Sequence, residues 1–161
     1  MLMALDAEVV AAGSQGERLI PLDQFFLDYY ETALAEGEVL VKLRLPPLPA
    51  LSRAIYLKYL PRTEDDYATV AIGAWLQQDE DGRCTNLRVA LGAAGSTPLR
   101  ATRVEMAMRG ERLTPRLVEE AAELVRDEVD PIDDMRGRPN YKREMARVWV
   151  ARALGRLLRD E

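Results

Sequence analysis

Lys58 and Tyr67 are the two side chains whose types and spacing could do chemistry. They lie nine positions apart at the two rims of a charged loop, and the segment from Arg62 to Asp66 contains no apolar residue. A lysine ammonium stabilises negative charge on a bound group, and an aromatic ring covers one face of a planar one. Taken separately, each also has a plain structural interpretation, Lys58 as a solvated mid-strand residue and Tyr67 as an aromatic at a strand edge.

The residues that are missing exclude several kinds of site. The sequence has no histidine and one cysteine, Cys84. Histidine-dependent triads, His-based metal sites, an internal disulfide and an iron–sulfur site are therefore all ruled out. Cys84 falls inside a predicted strand and has no partner base, so we interpret it as a buried small residue rather than a nucleophile. We predict no catalytic residue and no metal site, and any redox chemistry must come from a bound cofactor.

Composition narrows the class of protein further. The chain has 161 residues, a net charge of −5 and 48% apolar residues. The apolar fraction is enough for a packed core, and an acidic chain argues against nucleic acid as a partner. No apolar run reaches the length of a membrane span, and the N-terminus lacks a signal-peptide layout. We therefore expect a cytoplasmic protein without a membrane span.

The best boundary in the chain is the proline-rich segment 46–49. Proline stops a strand and stiffens a connector. Before it, residues 7–12, 18–22 and 39–45 predict strands, and the last of them alternates as a half-buried strand does. We predict two units, a small β-rich unit over 1–49 and a second domain over 50–161.

The second unit predicts strands followed by helices. The strands are expected at about 53–60, 67–78 and 83–92, with a hairpin turn at 79–82 that ends in Gly82. The helices are expected to begin at Thr97-Pro98, at Thr114-Pro115 and at Asn140. This order favours an α+β fold in which an antiparallel sheet of about three strands packs on three helices.

Three other patterns have both a functional and a plain interpretation. The acidic residues between 127 and 134 could bind a hard cation, but a solvated helix end is the simpler reading. The arginines of the third helix could face a partner or simply form the exposed side of an amphipathic helix. The segment 92–96 lacks the lysine and the glycine spacing of a phosphate loop, so a tight sheet-to-helix connection is preferred.

Several segments, in order, resemble the FAD-binding medium subunit of molybdenum hydroxylases, the xanthine dehydrogenase and carbon monoxide dehydrogenase group. The resemblance covers almost the whole chain and rests on the order and spacing of individually weak pieces. These pieces are 4–10, 20–26, 30–34, 37–46, 56–58 with Arg62, 66–68, 90–92, 98–101, 141–143 and 152–154.

The resemblance implies a fold, a cofactor and partners. The implied fold is a small α+β domain preceded by a β-rich remnant of the FAD-binding region. The implied role is electron relay, in which FAD receives electrons from a molybdenum centre through iron–sulfur clusters and passes them to an acceptor. A molybdopterin-binding large subunit and an iron–sulfur small subunit are the implied partners. The residues implied at the FAD site are Leu40 beside the flavin and adenine, Lys58 at the flavin ring, Asp66, and Tyr67 over the ring face.

The family pattern also contains glycine-rich segments that grip the FAD pyrophosphate, and this sequence has none of them. Three alternatives follow, namely a fragment, a truncated gene product, or a split subunit whose grip comes from a separate N-terminal FAD-binding fragment. The alternative is a non-catalytic interaction domain that assembles with such a complex and no longer binds FAD.

Overall fold

The first part of the chain forms a small β-rich module. The protein is seen as a computed structural model that describes residues 1–60 and 67–159. The strands of this module are β1 (Glu8–Gly13), β2 (Gly16–Pro21), β3 (Phe26–Asp28), β4 (Glu31–Thr32) and β5 (Val39–Arg44). β1 pairs antiparallel with both β2 and β5, and β3 and β4 form a separate hairpin. Two short 3-10 turns, Leu2–Leu5 and Leu22–Gln24, connect these pieces.

The second part is a four-stranded antiparallel sheet with three helices. The strands are β6 (Ser52–Tyr59), β7 (Val70–Gln78), β8 (Cys84–Gly92) and β9 (Leu99–Arg100). Their order across the sheet is the same as their order in the sequence. The helices are α1 (Thr102–Met108), α2 (Pro115–Glu123) and α3 (Pro139–Arg159). The predicted α+β class, an antiparallel sheet against three helices, is confirmed.

Three sequence-based expectations need correction. The first helix begins at Thr102 rather than after Thr97-Pro98, because Leu99 and Arg100 pair with β8 instead. The apolar spacing from Val118 to Val129 predicts a second helix up to Asp130, but the helix ends at Glu123 and continues as a 3-10 turn to Asp127. β5 is not half-buried, because all six of its residues are exposed. Its partner β1 covers one edge, and no element covers either of its faces among the residues that the structure describes.

Local signals nevertheless fix most boundaries. Gly82 in the hairpin turn and Gly110 after α1 have φ angles of 76° and 82°, a conformation that glycine adopts without strain. The Thr114 hydroxyl accepts a hydrogen bond from the backbone N–H of Leu117, and Pro115 follows at the first helical position. Both features stabilise the start of α2.

The main core lies between the sheet and the helices. Leu57, Ile72 and Leu91 form one row across β6, β7 and β8, and they are buried against the helices. On the same face, the ring of Tyr59 stacks on Trp149 of α3 at 5.2 Å between centroids. Along each strand, the residues that face this core alternate with residues that face the other side of the sheet, as a pleated strand requires.

The opposite face of the sheet is covered by the N-terminal module. Trp75 of β7, only 2% exposed, and Ala90 of β8 belong to a second apolar cluster with Met3, Val9 and other residues of the module. Asp6 strengthens this contact by pairing with Arg88 and Arg100 of the sheet. The sheet is thus packed on both faces, which ties the two parts of the chain together.

An ion pair holds the segment before β5 against β2. Arg18 donates to both carboxylate oxygens of Glu38, at 2.7 and 2.8 Å, and also to the carbonyl of Ala33. The backbone N–H of Ala35 donates to Glu38 as well. The hydrogen bonds from Arg18 and Ala35 lower the pKa of Glu38 to about 2.

Gly73 lies where the N-terminal segment crosses the sheet, and we predict that Gly73→Ala weakens this contact. A Cβ there would come within 2.7 Å of the Met1 backbone, too close for any packed pair. We expect a loss of about 1–3 kcal/mol in the free energy of unfolding, measured by urea denaturation.

Gly92→Ala is the matched control, because a Cβ there meets only the Ala71 methyl at 3.8 Å. Its stability should lie within about 0.5 kcal/mol of the parent. A Gly73→Ala variant as stable as Gly92→Ala would show that Met1 does not pack over β7.

Candidate functional site

A surface cleft of about 450 Å³ lies where the two parts of the chain meet. It is formed by the tip of the β3–β4 hairpin, the residues just before β7, the loop after β8 and the loop before α3. Its lining includes Tyr29, Tyr30, Tyr67, Ala93, Asp134 and Arg136. Three tyrosines and an arginine in one cleft are suited to a flat, polar-edged aromatic ligand.

Tyr67 is one of the residues that line this cleft. Its side chain is 79% exposed. The guanidinium carbon of Arg136 lies 5.2 Å from the ring centroid, so one face of the ring is covered by a cation. The contact is a cation–π interaction, and it leaves the other face for a planar ligand.

Tyr30 has a fully exposed ring and a strained backbone conformation. It lies with Tyr29 in the two-residue loop between β3 and β4, and its φ is 56°. The Asp28 carboxylate accepts a hydrogen bond from the N–H of Tyr29 and supports the loop. A bulky residue rarely adopts a positive φ, and Ala93 across the cleft has a φ of 58°. Backbone strain of this kind concentrates at binding sites.

An ion pair between the buried Lys142 and the half-buried Asp134 lies beneath the loop before α3. The Lys142 side chain is 3% exposed, and its Nζ lies 2.8 Å from Asp134 Oδ2. Burial raises the pKa of Asp134, but hydrogen bonds from Lys142 and from the backbone N–H of Arg136 outweigh it. The pKa of Asp134 therefore lies below its ordinary value, and the carboxylate stays ionised.

The four residues that the resemblance assigned to FAD are distributed over the surface. Tyr67 lines the cleft. Lys58 is exposed on the outer face of β6, opposite Ala71, and none of the described residues pairs with its ammonium group. Leu40 is exposed on β5, opposite Ala11. Neither Lys58 nor Leu40 belongs to the cleft lining, and Asp66 lies outside the described residues. All four assignments stay predictions.

The other candidates have structural explanations. Cys84 is fully buried at the start of β8, and burial raises the pKa of its thiol to about 11. The acidic residues near 130 are dispersed, with Asp130 paired to Arg143 and Asp127 to Arg103. Over residues 1–60 and 67–159, no group of three or more acidic or thiol side chains could hold a metal ion. No helix in those ranges is long and apolar enough to cross a membrane.

Comparison with known proteins assigns the family. Residues 55–157 match the family model of the CO dehydrogenase flavoprotein C-terminal domain. The chain belongs to this family. Residues 1–48 match a second model, the FAD binding domain in molybdopterin dehydrogenase. The resemblance inferred from the sequence is confirmed.

Individual relatives agree with these matches. The carbon monoxide dehydrogenase medium chain of Hydrogenophaga pseudoflava is 34% identical over 152 residues, which is 94% of this chain and 52% of the relative. The 6-hydroxypseudooxynicotine dehydrogenase complex subunit alpha of Paenarthrobacter nicotinovorans is 30% identical over 158 residues, 98% of this chain and 53% of the relative. The chain spans about half the length of the curated relatives it matches.

Solved structures share the fold. The carbon monoxide dehydrogenase of Hydrogenophaga pseudoflava that lacks the Mo-pyranopterin moiety superposes with a TM-score of 0.91 at 35% identity, covering 96% of this chain and 53% of that chain. Reconstituted CO dehydrogenase from Oligotropha carboxidovorans gives a TM-score of 0.91 at 29% identity, covering 98% and 54%. Both share the fold of this chain over nearly its whole length.

Sequence reasoning missed most of the cleft. Tyr29, Arg136 and Lys142 were not assigned to a site, and Asp134 was read as part of a solvated acidic cluster. One local signal was present, because two adjacent aromatic residues after Asp28 are unusual in a short turn. A lysine in the first turns of α3 was a second signal, since a cation there opposes the helix dipole.

We predict that Cys84 does not react in the folded protein. Its raised pKa and full burial leave little accessible thiolate at pH 8. A chromogenic disulfide reagent should label it only when urea unfolds the chain. Cys84→Ala combined with Ser96→Cys, an exposed loop position, is the control and should label within seconds. Rapid labelling of native Cys84 would contradict the burial.

Proposed function

We propose that this chain is the C-terminal half of the FAD-binding medium subunit of a molybdenum hydroxylase. In such an enzyme, FAD accepts electrons from iron–sulfur clusters and passes them to an acceptor such as NAD or a quinone. The observation that carries the proposal is the cleft of Tyr29, Tyr30 and Tyr67, in a chain whose two parts match a FAD-binding family and a flavoprotein family.

The chemistry would come from FAD, which stores two electrons when bound. The residues of this chain would bind and orient it. Tyr67 offers its free face to the flavin ring, and the hairpin tyrosines close the cleft from the other side. Lys58, exposed on the outer face of β6, would supply a cation that favours negative charge on the reduced ring. Leu40 would supply an apolar contact beside the flavin and adenine, and Asp66 is the fourth residue proposed for the FAD site.

β5 is the place where a separate N-terminal FAD-binding segment would dock. One edge of β5 pairs with β1, and the other edge is unpaired among the described residues. The strand also exposes large apolar side chains, namely Val39, Leu40, Val41 and Leu43. An exposed apolar edge strand recruits another strand. The docked segment would bring the glycine-rich grip for the FAD pyrophosphate that this sequence lacks.

The partners of the assembled subunit would be a molybdopterin-binding large subunit and an iron–sulfur small subunit. The medium-chain names of the relatives support a place in a complex of several subunits. A second function is an assembly domain that docks through β5 and does not bind FAD. The exposure of all six β5 residues favours this alternative as much as the first, because docking alone would bury them.

FAD binding with and without a complementing fragment tests the proposal. The chain alone should bind FAD weakly or not at all, because no described loop cradles a pyrophosphate. Co-expressed with the N-terminal half of the Hydrogenophaga pseudoflava medium chain, it should co-purify with stoichiometric FAD, measured by flavin absorbance. Val41→Asp on β5 should abolish co-purification, whereas Met106→Asp, at an exposed apolar residue of α1, should not.

The outcomes separate the two functions. Submicromolar FAD binding by the chain alone would contradict the need for a second fragment. A stable complex of the two fragments without FAD would contradict the flavin role and favour the assembly domain. The absence of any complex would contradict docking through β5.

Lys58 and Tyr67 should affect the reconstituted flavin differently. Lys58→Met removes a cation but keeps most of the side-chain bulk, so the flavin reduction potential should fall. Tyr67→Ala removes a ring, so reoxidation by the acceptor should change while the affinity for FAD falls modestly. Spectroelectrochemical titration and stopped-flow reoxidation measure the two effects. Arg116→Met, on the exposed surface of α2, is the control and should change neither.

A Lys58→Met potential equal to or above that of the parent would show that Lys58 is only a solvated strand residue.

A further inference from the structure

We infer that Asp134 and Arg136 are positioning residues that orient the Tyr67 ring, and that the buried Lys142 anchors them to α3. The inference rests on the proposed function only where it names the ring as a wall of the flavin site. The orientation of Tyr67 by this chain of contacts stands on the geometry alone.

The anchor is Lys142, whose position is otherwise unfavourable. It lies in the first turns of α3, where a cation opposes the helix dipole, and its side chain is buried. Its Nζ donates to the carbonyl of Ile132 at 2.9 Å and contacts Asp134 Oδ2 at 2.8 Å. A buried lysine without such partners would strongly destabilise the fold. Lys142 therefore fixes the loop before α3 to the helix.

Asp134 is held at both carboxylate oxygens. Oδ1 accepts from the backbone N–H of Arg136 at 2.8 Å, and Oδ2 faces Lys142. The Arg136 guanidinium lies 3.7 Å from Oδ2. The carboxylate is thus fixed by two donors from different elements, and it holds both the backbone and the guanidinium of Arg136.

The turn that carries Arg136 is tightly packed. Asp134 and Gly137 exchange backbone hydrogen bonds at 3.0 and 3.4 Å. Gly137 has a φ of 139°, and a Cβ there would lie 2.6 Å from the Tyr141 ring. The Tyr141 hydroxyl in turn lies 2.7 Å from the Tyr59 hydroxyl of β6. The turn therefore has one position relative to both α3 and the sheet.

Arg136 connects this turn to the Tyr67 ring. Its guanidinium covers one face of the ring at 5.2 Å from the centroid, while most of the ring surface stays exposed. A cation held against one face limits the tilt of the ring, and the large exposed fraction of Tyr67 leaves the opposite face open. The orientation of Tyr67 thus comes from a loop distant in sequence.

A purely structural role is the competing explanation. In that case Lys142 and Asp134 only fasten the loop to α3, and Arg136 lies near Tyr67 without consequence. The two explanations differ for Arg136→Met, which keeps the Lys142–Asp134 pair and removes only the cation from the ring.

The experiment records the Tyr67 ring signal by NMR in protein labelled with ring-¹³C tyrosine. Tyr67→Phe assigns the signal. Arg136→Met and Asp134→Asn should move it to the position of a solvated tyrosine, and Arg136→Lys should restore part of the parental shift because the cation is kept. Arg143→Met is the matched control, since it removes an arginine paired to Asp130 and should leave the Tyr67 signal in place.

Thermal unfolding of each variant is measured in parallel, so that a loss of fold is not mistaken for a loss of orientation. An unchanged Tyr67 signal in folded Arg136→Met would overturn the inference. Because Asp134→Asn also weakens the ion pair with the buried Lys142, Arg136→Met is the variant that decides the inference.

The reconstituted complex adds a functional measurement. Arg136→Met should weaken FAD binding roughly two- to fivefold, the worth of one cation–π contact, and should change reoxidation in the same direction as Tyr67→Ala. A shifted Tyr67 signal in a complex that takes no FAD would defeat the proposed function and keep the positioning role. FAD affinity and reoxidation equal to the parent despite a shifted signal would overturn the link to the flavin site.

Discussion

The central strand β7 is packed on both faces, and the other features of the molecule depend on this constraint. Ile72 faces the helices, while Gly73 and Trp75 face the N-terminal module. A strand buried on both sides has no freedom to shift its register, because a slip of one residue would exchange the two faces. The module is therefore fixed against the sheet, and the hairpin of Tyr29 and Tyr30 comes to lie opposite Tyr67.

The fold could be predicted wherever the signal was local. Gly82 and the Thr114-Pro115 pair mark a turn and a helix start through backbone geometry alone, and the structure has them at those places. The signal at Thr97-Pro98 was misleading because it is also compatible with a turn. Leu99 and Arg100 gain hydrogen bonds by pairing with β8, and this tertiary pairing outweighs the helix-start signal. The apolar cluster that contains Trp75 and Met3 could not be predicted from the periodicity either. An apolar strand has the same sequence pattern whether one or both of its faces are covered.

The candidate site was only partly readable for the same reason. The sequence indicates Lys58 and Tyr67 because they flank one charged segment. The residues that complete the cleft come from the β3–β4 hairpin and from the loop before α3, and only the folded chain brings these segments together. Asp134 shows the limit clearly. In the sequence it is one of several acidic residues, and only its contact with the buried Lys142 distinguishes it from its solvated neighbours.

Two unfavourable features of the chain would be removed by the same assembly step. β5 exposes apolar side chains along an unpaired edge, and Tyr30 holds a fully exposed ring in a strained conformation. Exposed edges promote association, and local strain persists only where the surrounding structure imposes it. Both features lie in the N-terminal module, whose other face is fixed on the sheet through Trp75. A FAD-binding segment docked on β5 would bury the apolar edge, and a flavin ring in the cleft would cover the tyrosines, so one assembled state accounts for both.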